Sequence, residues 1–113
     1  MTLDAHLHTD DNGVLDRGLP PVVLLHGLLL DSRVWDPLLP LLSGRRVVRV
    51  DLPGHGGSPA DLGGLDAAVE GLAAVVDREQ LADAVLVGSS VGAVVATDIS
   101  ARALAYAELN TQL

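Results

Sequence analysis

Three short valine-rich runs, Val22–Leu25, Arg46–Asp51 and Ala84–Val87, constrain this chain more than any other feature. Each has a glycine or proline within two residues of one end. Runs of this kind read as strands buried in a parallel sheet. The segments that follow them change to a helical period. Asp31 or Ser32 caps a short helix through Val34, Trp35, Leu38, Leu39 and Leu42, which Pro40 shortens or kinks and Ser43-Gly44 stops. Leu65, Val69, Leu72, Ala73 and Val76 share a second helical face. Val91, Val94, Val95, Ile99 and Ala103 share a third, in a helix expected to run to about Leu109 with Asn110 as its stop. Strand and helix therefore alternate. That pattern predicts an α/β fold: a mostly parallel sheet, helices on both faces and right-handed crossovers.

The 113 residues suffice for one domain. Residues 1–20 are weakly patterned. Asp11-Asn12-Gly13 predicts the tight turn of a short hairpin, and Arg17-Gly18-Leu19-Pro20-Pro21 reads as a linker. The longest uncharged stretch, Ala84–Thr97, is shorter than the 18 or so residues of a membrane span. The first residues are polar and acidic, without the basic and apolar regions of a signal peptide, so a cytoplasmic protein with no membrane partner is expected.

Absent residue types narrow the chemistry further. There is no cysteine, hence no disulfide, cysteine-ligated zinc, iron–sulfur cluster or thiol nucleophile. There is no lysine, hence no phosphate-loop lysine and no Schiff base. A formal charge of −8 argues against a nucleic-acid partner.

Gly88-Ser89-Ser90-Val91-Gly92 is the chain's G-x-S-x-G pentapeptide, and it sits between a predicted strand and a predicted helix. That context presents a serine on a strained strand-to-helix turn. The residues two before and two after it approach closely and must be small. The helix that follows aims backbone N–H groups and its positive dipole end at the reacting oxygen.

On these residues the chain resembles the N-terminal half of an α/β-hydrolase fold protein. Val22-Val23-Leu24-Leu25-His26-Gly27-Leu28 is similar to the strand and His-Gly turn before that family's oxyanion loop. Val50-Asp51-Leu52-Pro53-Gly54-His55-Gly56-Gly57-Ser58 is similar to its Asp-x-Pro-Gly-His-Gly-x-Ser loop, and Leu86–Ala93 to its nucleophile elbow. The resemblance covers residues 21–97 and leaves 98–113 as a divergent helical tail. It implies Ser90 as nucleophile, the amides of Leu28 and Val91 as oxyanion hole, and His26, Gly27, Gly88 and Gly92 as residues that shape the site. It implies His55 as a loop histidine rather than the base. The implied activity is hydrolysis of a small-molecule ester or related acyl bond, with no metal or organic cofactor.

The family's acid and histidine follow the serine along the chain, whereas His6, His8, His26 and His55 all precede Ser90. Asp98 and Glu108 are the acids that follow it, both in a predicted helix leading away. A partial fold without the C-terminal strands and cap is therefore expected, with weak or absent activity. His26 or His55 as substitute base, a non-enzymatic ligand-binding or signalling module, and a non-functional gene fragment are the alternatives. Without the next strand, Ala84–Val87 becomes an exposed apolar edge and a place for self-association.

Three competing motifs carry less. His6-Leu7-His8 has the spacing of two metal ligands on one strand face but lacks further ligands, and two solvated histidines are the plainer reading. Asp51-x-x-Gly54 echoes a GTPase loop without a phosphate-binding lysine. Trp35 with Leu38, Leu39 and Leu42 reads as core.

Overall fold

The computed structural model describes residues 6–14, 18–60 and 63–111, with side chains to Ala101. Four strands, β1 (Thr9–Asp11), β2 (Val22–Leu25), β3 (Val47–Val50) and β4 (Val85–Gly88), form one sheet in the order β1-β3-β2-β4. β2 pairs in parallel with β3 and β4, placing Val22 beside both Val47 and Val85. Two helices, α1 (Gly64–Arg78) and α2 (Val91–Thr111), complete the alternation. The expected α/β architecture is present.

Strand parity divides the core. Val23, Leu25, Val48 and Val50 pack with Ala68, Val69, Leu72 and Val75 of α1 and with Val95 and Ala96 of α2. Val22, Leu24 and Val47 face the other way, against Trp35, Leu38, Leu39 and Leu42. β2 is thus buried on both faces, each side chain contributing about 1.5–3 kcal/mol. On α1 the core stripe is residues 68, 69, 72, 75 and 76, so the helix turns Ala68 and Val75 inward where the sequence suggested Leu65 and Ala73. On α2, Val91 and Ile99 pack against the core while Val94 stays half exposed. The side chain of Ala103 lies outside the described residues. α2 runs on to Thr111, past the expected stop at Asn110.

The first expected helix is instead a 3₁₀ segment, Ser32–Leu42. Pro37 and Pro40 both lie inside it, and an α-turn would drive each ring into the carbonyl four residues back. The 3₁₀ segment still aims Trp35 and the leucines at the sheet. Asp31 caps it by accepting the Arg33 N–H at 2.9 Å. The Arg33 guanidinium and that N–H together hold the Asp31 carboxyl at about 2.

β1 forms one edge of the sheet. It pairs antiparallel with β3, Thr9 opposite Val50 and Asp11 opposite Val48. Asn12 is drawn to β3 as well: its carboxamide accepts the Val47 N–H at 3.0 Å and donates to the Arg45 carbonyl at 2.7 Å. Leu15–Arg17, the return arm of the expected hairpin and the start of the linker, lies outside the described residues. At the opposite edge, β4 leaves Val85 47% exposed. No helix of the described residues is long and apolar enough to cross a membrane.

Candidate active site

The C-terminal ends of β2, β3 and β4 gather the residues that the sequence singled out. Gly88 closes β4, Ser89 donates its N–H to the Leu25 carbonyl at 3.0 Å, and α2 begins at Val91. Ser90 stands between them, exposed, with φ 58°. A left-handed backbone costs a side-chain-bearing residue about 1–2 kcal/mol. The helix start offsets part of this: the amides of Ala93 and Val94 donate to the Ser90 carbonyl at 3.0 and 3.3 Å.

Crowding around the turn explains its small residues. A Cβ on Gly88 would lie less than 3.0 Å from backbone atoms of Gly92 and Ala93. One on Gly92 would strike the carbonyls of Leu25 and His26 at the end of β2. A Cβ on Gly27 would come within 3.2 Å of the Ser90 Cβ. The turn after β2 is therefore pressed against the serine.

Two amides flank Ser90. Among the described residues, neither the Leu28 nor the Val91 N–H has an acceptor. Val91 is the first residue of α2, whose dipole adds partial positive charge at that end. The Gly27 carbonyl accepts from the His26 ring at 2.7 Å and from the Leu30 N–H at 3.2 Å. In a trans peptide the N–H points opposite to the C=O, so these two donors fix the direction of the Leu28 N–H. They also polarise that peptide unit and strengthen its N–H as a donor.

Both site histidines are committed elsewhere. His26 is fully buried, and its Nε2 accepts the Leu52 N–H at 2.9 Å. A backbone N–H can only donate, so the proton sits on Nδ1 and is given to the Gly27 carbonyl. His55 repeats the pattern: Nε2 accepts the Leu29 N–H at 3.0 Å, and Nδ1–H donates to the Pro53 carbonyl at 3.0 Å. The ring centroids are 5.0 Å apart. Neither ring nitrogen of either residue is free to take the Ser90 proton. The alternative in which one of them substitutes as base is not supported, in keeping with the reading of His55 as a loop histidine.

Sequence reasoning missed the carboxylate that ties these loops together. Asp51, buried at the end of β3, accepts the Ser32 N–H at 2.9 Å and the Ser32 hydroxyl on Oδ1, and the Gly57 N–H at 3.0 Å on Oδ2. Burial pushes its carboxyl up, but the Ser32 hydroxyl and the two amides more than offset this and hold it below the usual carboxylate range. Such a group stabilises the fold above about pH 4 and loses that contribution as pH falls through its own lower value. Asp51→Asn would oppose its NH₂ to the Gly57 N–H. It should cost about 2 kcal/mol near neutral pH. Urea denaturation at successive pH values from 6 to 3 checks this, with a shallower acid decline expected in the variant than in the wild type.

His8 gives its backbone N–H to the Ser58 hydroxyl at 2.7 Å, and its ring lies 3.5 Å from Asp10. Among the described residues no group of three or more His, Asp or Glu could hold a metal ion.

A family model described as "Alpha/beta hydrolase family" matches residues 22–110. The chain is 44% identical over 84 residues to a pimeloyl-[acyl-carrier protein] methyl ester esterase of Aromatoleum aromaticum, an alignment covering 74% of this chain and 32% of that protein. It is 38% identical over 76 residues to the 2-succinyl-6-hydroxy-2,4-cyclohexadiene-1-carboxylate synthase of Salmonella typhi, covering 66% and 30%. Among solved structures it is similar to the enol-lactonase from Burkholderia xenovorans LB400, with TM-score 0.67 and 32% identity over 76% of this chain and 34% of that one. The chain spans about a third of the length of these relatives.

Proposed function

The chain belongs to the α/β-hydrolase family, and on that premise we propose that it carries the nucleophile and oxyanion hole of a serine hydrolase for an ester or related acyl bond. Ser90 Oγ attacks the acyl carbon. The negative oxygen that develops there accepts hydrogen bonds from the Leu28 and Val91 amides. The alcohol leaves, and water later releases the acyl group from Ser90. The observation that carries this reading is the strained Ser90 backbone held between Gly88, Gly92 and Gly27, because strain of that kind needs a surrounding structure that enforces it.

The Ser90 proton must pass to a base. Both ring nitrogens of His26 and of His55 are bonded, and no histidine follows Ser90 in the sequence. Neither of these two rings serves as that base, and turnover by this chain alone is expected to be weak or absent. Loss of triad partners costs up to about a million-fold in well-studied hydrolases.

The test is covalent labelling. The chain should react slowly with a fluorescent fluorophosphonate, faster when imidazole is supplied as a surrogate base, and not at all as Ser90→Ala. A folded sample that stays unlabelled with imidazole present would favour the second reading, a non-enzymatic ligand-binding module. The committed histidines are the observation behind that second reading.

A further inference from the structure

We infer that His55 is a positioning residue for the oxyanion loop, acting through the Leu29 peptide. The inference rests on the assignment of Ser90 and Leu28 above and gives a role to a histidine which that mechanism leaves unused.

Two consecutive peptide units lead out of β2 past the serine. The first, Gly27–Leu28, is held at its carbonyl by His26. The second, Leu28–Leu29, is held at its N–H by His55 Nε2, 3.0 Å away. Leu28 is thus fixed on both sides by imidazole rings. The second clamp has a definite task. Leu29 has φ 65°, a left-handed conformation for a bulky side chain, and it is 86% exposed, so packing does not hold it there. What holds the Leu29 amide is its hydrogen bond to His55.

The clasp is reciprocal. His26, on the loop after β2, holds Leu52 on the loop after β3, while His55, on the loop after β3, holds Leu29 on the loop after β2. Each bond joins residues 26 positions apart in the sequence. His55 is itself aimed by its Nδ1–H bond to Pro53, which leaves Nε2 as the acceptor. Release of the Leu29 amide would let residue 29 relax toward right-handed φ and swing the adjoining Leu28 unit away from Ser90.

Two conservative variants separate the two ring nitrogens. A glutamine carbonyl can stand where Nε2 stands and still accept the Leu29 N–H. An asparagine reaches only the Nδ1 position and keeps the Pro53 bond alone. Leu29 amide hydrogen exchange, read by ¹⁵N NMR, should stay slow in His55→Gln and rise about tenfold or more in His55→Asn. The wild type should also show a nitrogen–nitrogen coupling across the hydrogen bond between Leu29 and His55.

Phosphonate labelling of Ser90 with imidazole should fall about tenfold or more in His55→Asn and change little in His55→Gln. That is within the hundredfold or so that a misplaced catalytic group costs. Equal Leu29 exchange in the wild type and His55→Asn would overturn the clamp. Faster exchange with unchanged labelling would overturn its positioning role. If no protein is labelled, wild type included, the Ser90 assignment fails and the exchange comparison alone decides whether the clamp exists.

Discussion

Gly92→Ala is expected to abolish folding. A Cβ at that position has to displace the Leu25 and His26 carbonyls, and both belong to the central strand and its turn. A flexible side chain could move aside, but backbone inside a paired sheet cannot. The expected cost exceeds about 4 kcal/mol, most of what holds a domain of this size together. Gly88→Ala meets the backbone of Gly92 and Ala93 and should behave alike. Gly44→Ala is the control: its φ of 87° makes a side chain unfavourable, yet nothing lies within 4 Å. It should cost only about 1 kcal/mol. Urea melts followed by circular dichroism read all three. A cooperative Gly92→Ala transition near the wild-type midpoint would mean that α2 does not abut β2 as described.

His26→Ala is the second large loss. The ring is fully buried and joins two loops through opposite nitrogens. Truncation leaves a void the size of an imidazole and orphans the Leu52 N–H. Together these should cost about 3–5 kcal/mol. Because the same ring fixes the Gly27 carbonyl, any population that still folds should also label poorly at Ser90. His26→Gln can restore the acceptor for Leu52 but not the donor to Gly27. It should recover part of the stability while leaving labelling low. Recovery of both together would show that the Gly27 bond does not aim the Leu28 amide.

Much of this architecture was legible in the residues because it is periodic or crowded. Val22–Leu25 reads as a strand buried on both faces, and its four side chains are buried. The spacing of Gly88, Ser90 and Gly92 signals a tight turn, and the structure shows the collisions that forbid anything larger. Bonds between loops were not legible. No period links His55 to Leu29 or Asp51 to Ser32, since each partner lies on a separate aperiodic segment. The 3₁₀ winding of Ser32–Leu42 escaped notice for another reason: its leucine spacing suits an α-helix, and the two prolines show only that an α-helix is poor there. The pairing of β1 with β3 was likewise not legible, since the long-range bond between Asn12 and Val47 leaves no local mark.

The left-handed backbone at Ser90 sets the terms on which this chain could be improved. A glycine there would relieve the strain, so a laboratory selection that rewarded heat resistance alone would discard the serine early. A selection that rewarded acylation would have to keep it and accept a lower melting point. Position 90 is therefore where screens for robustness and for catalysis diverge, and which residue survives reports what the screen was measuring.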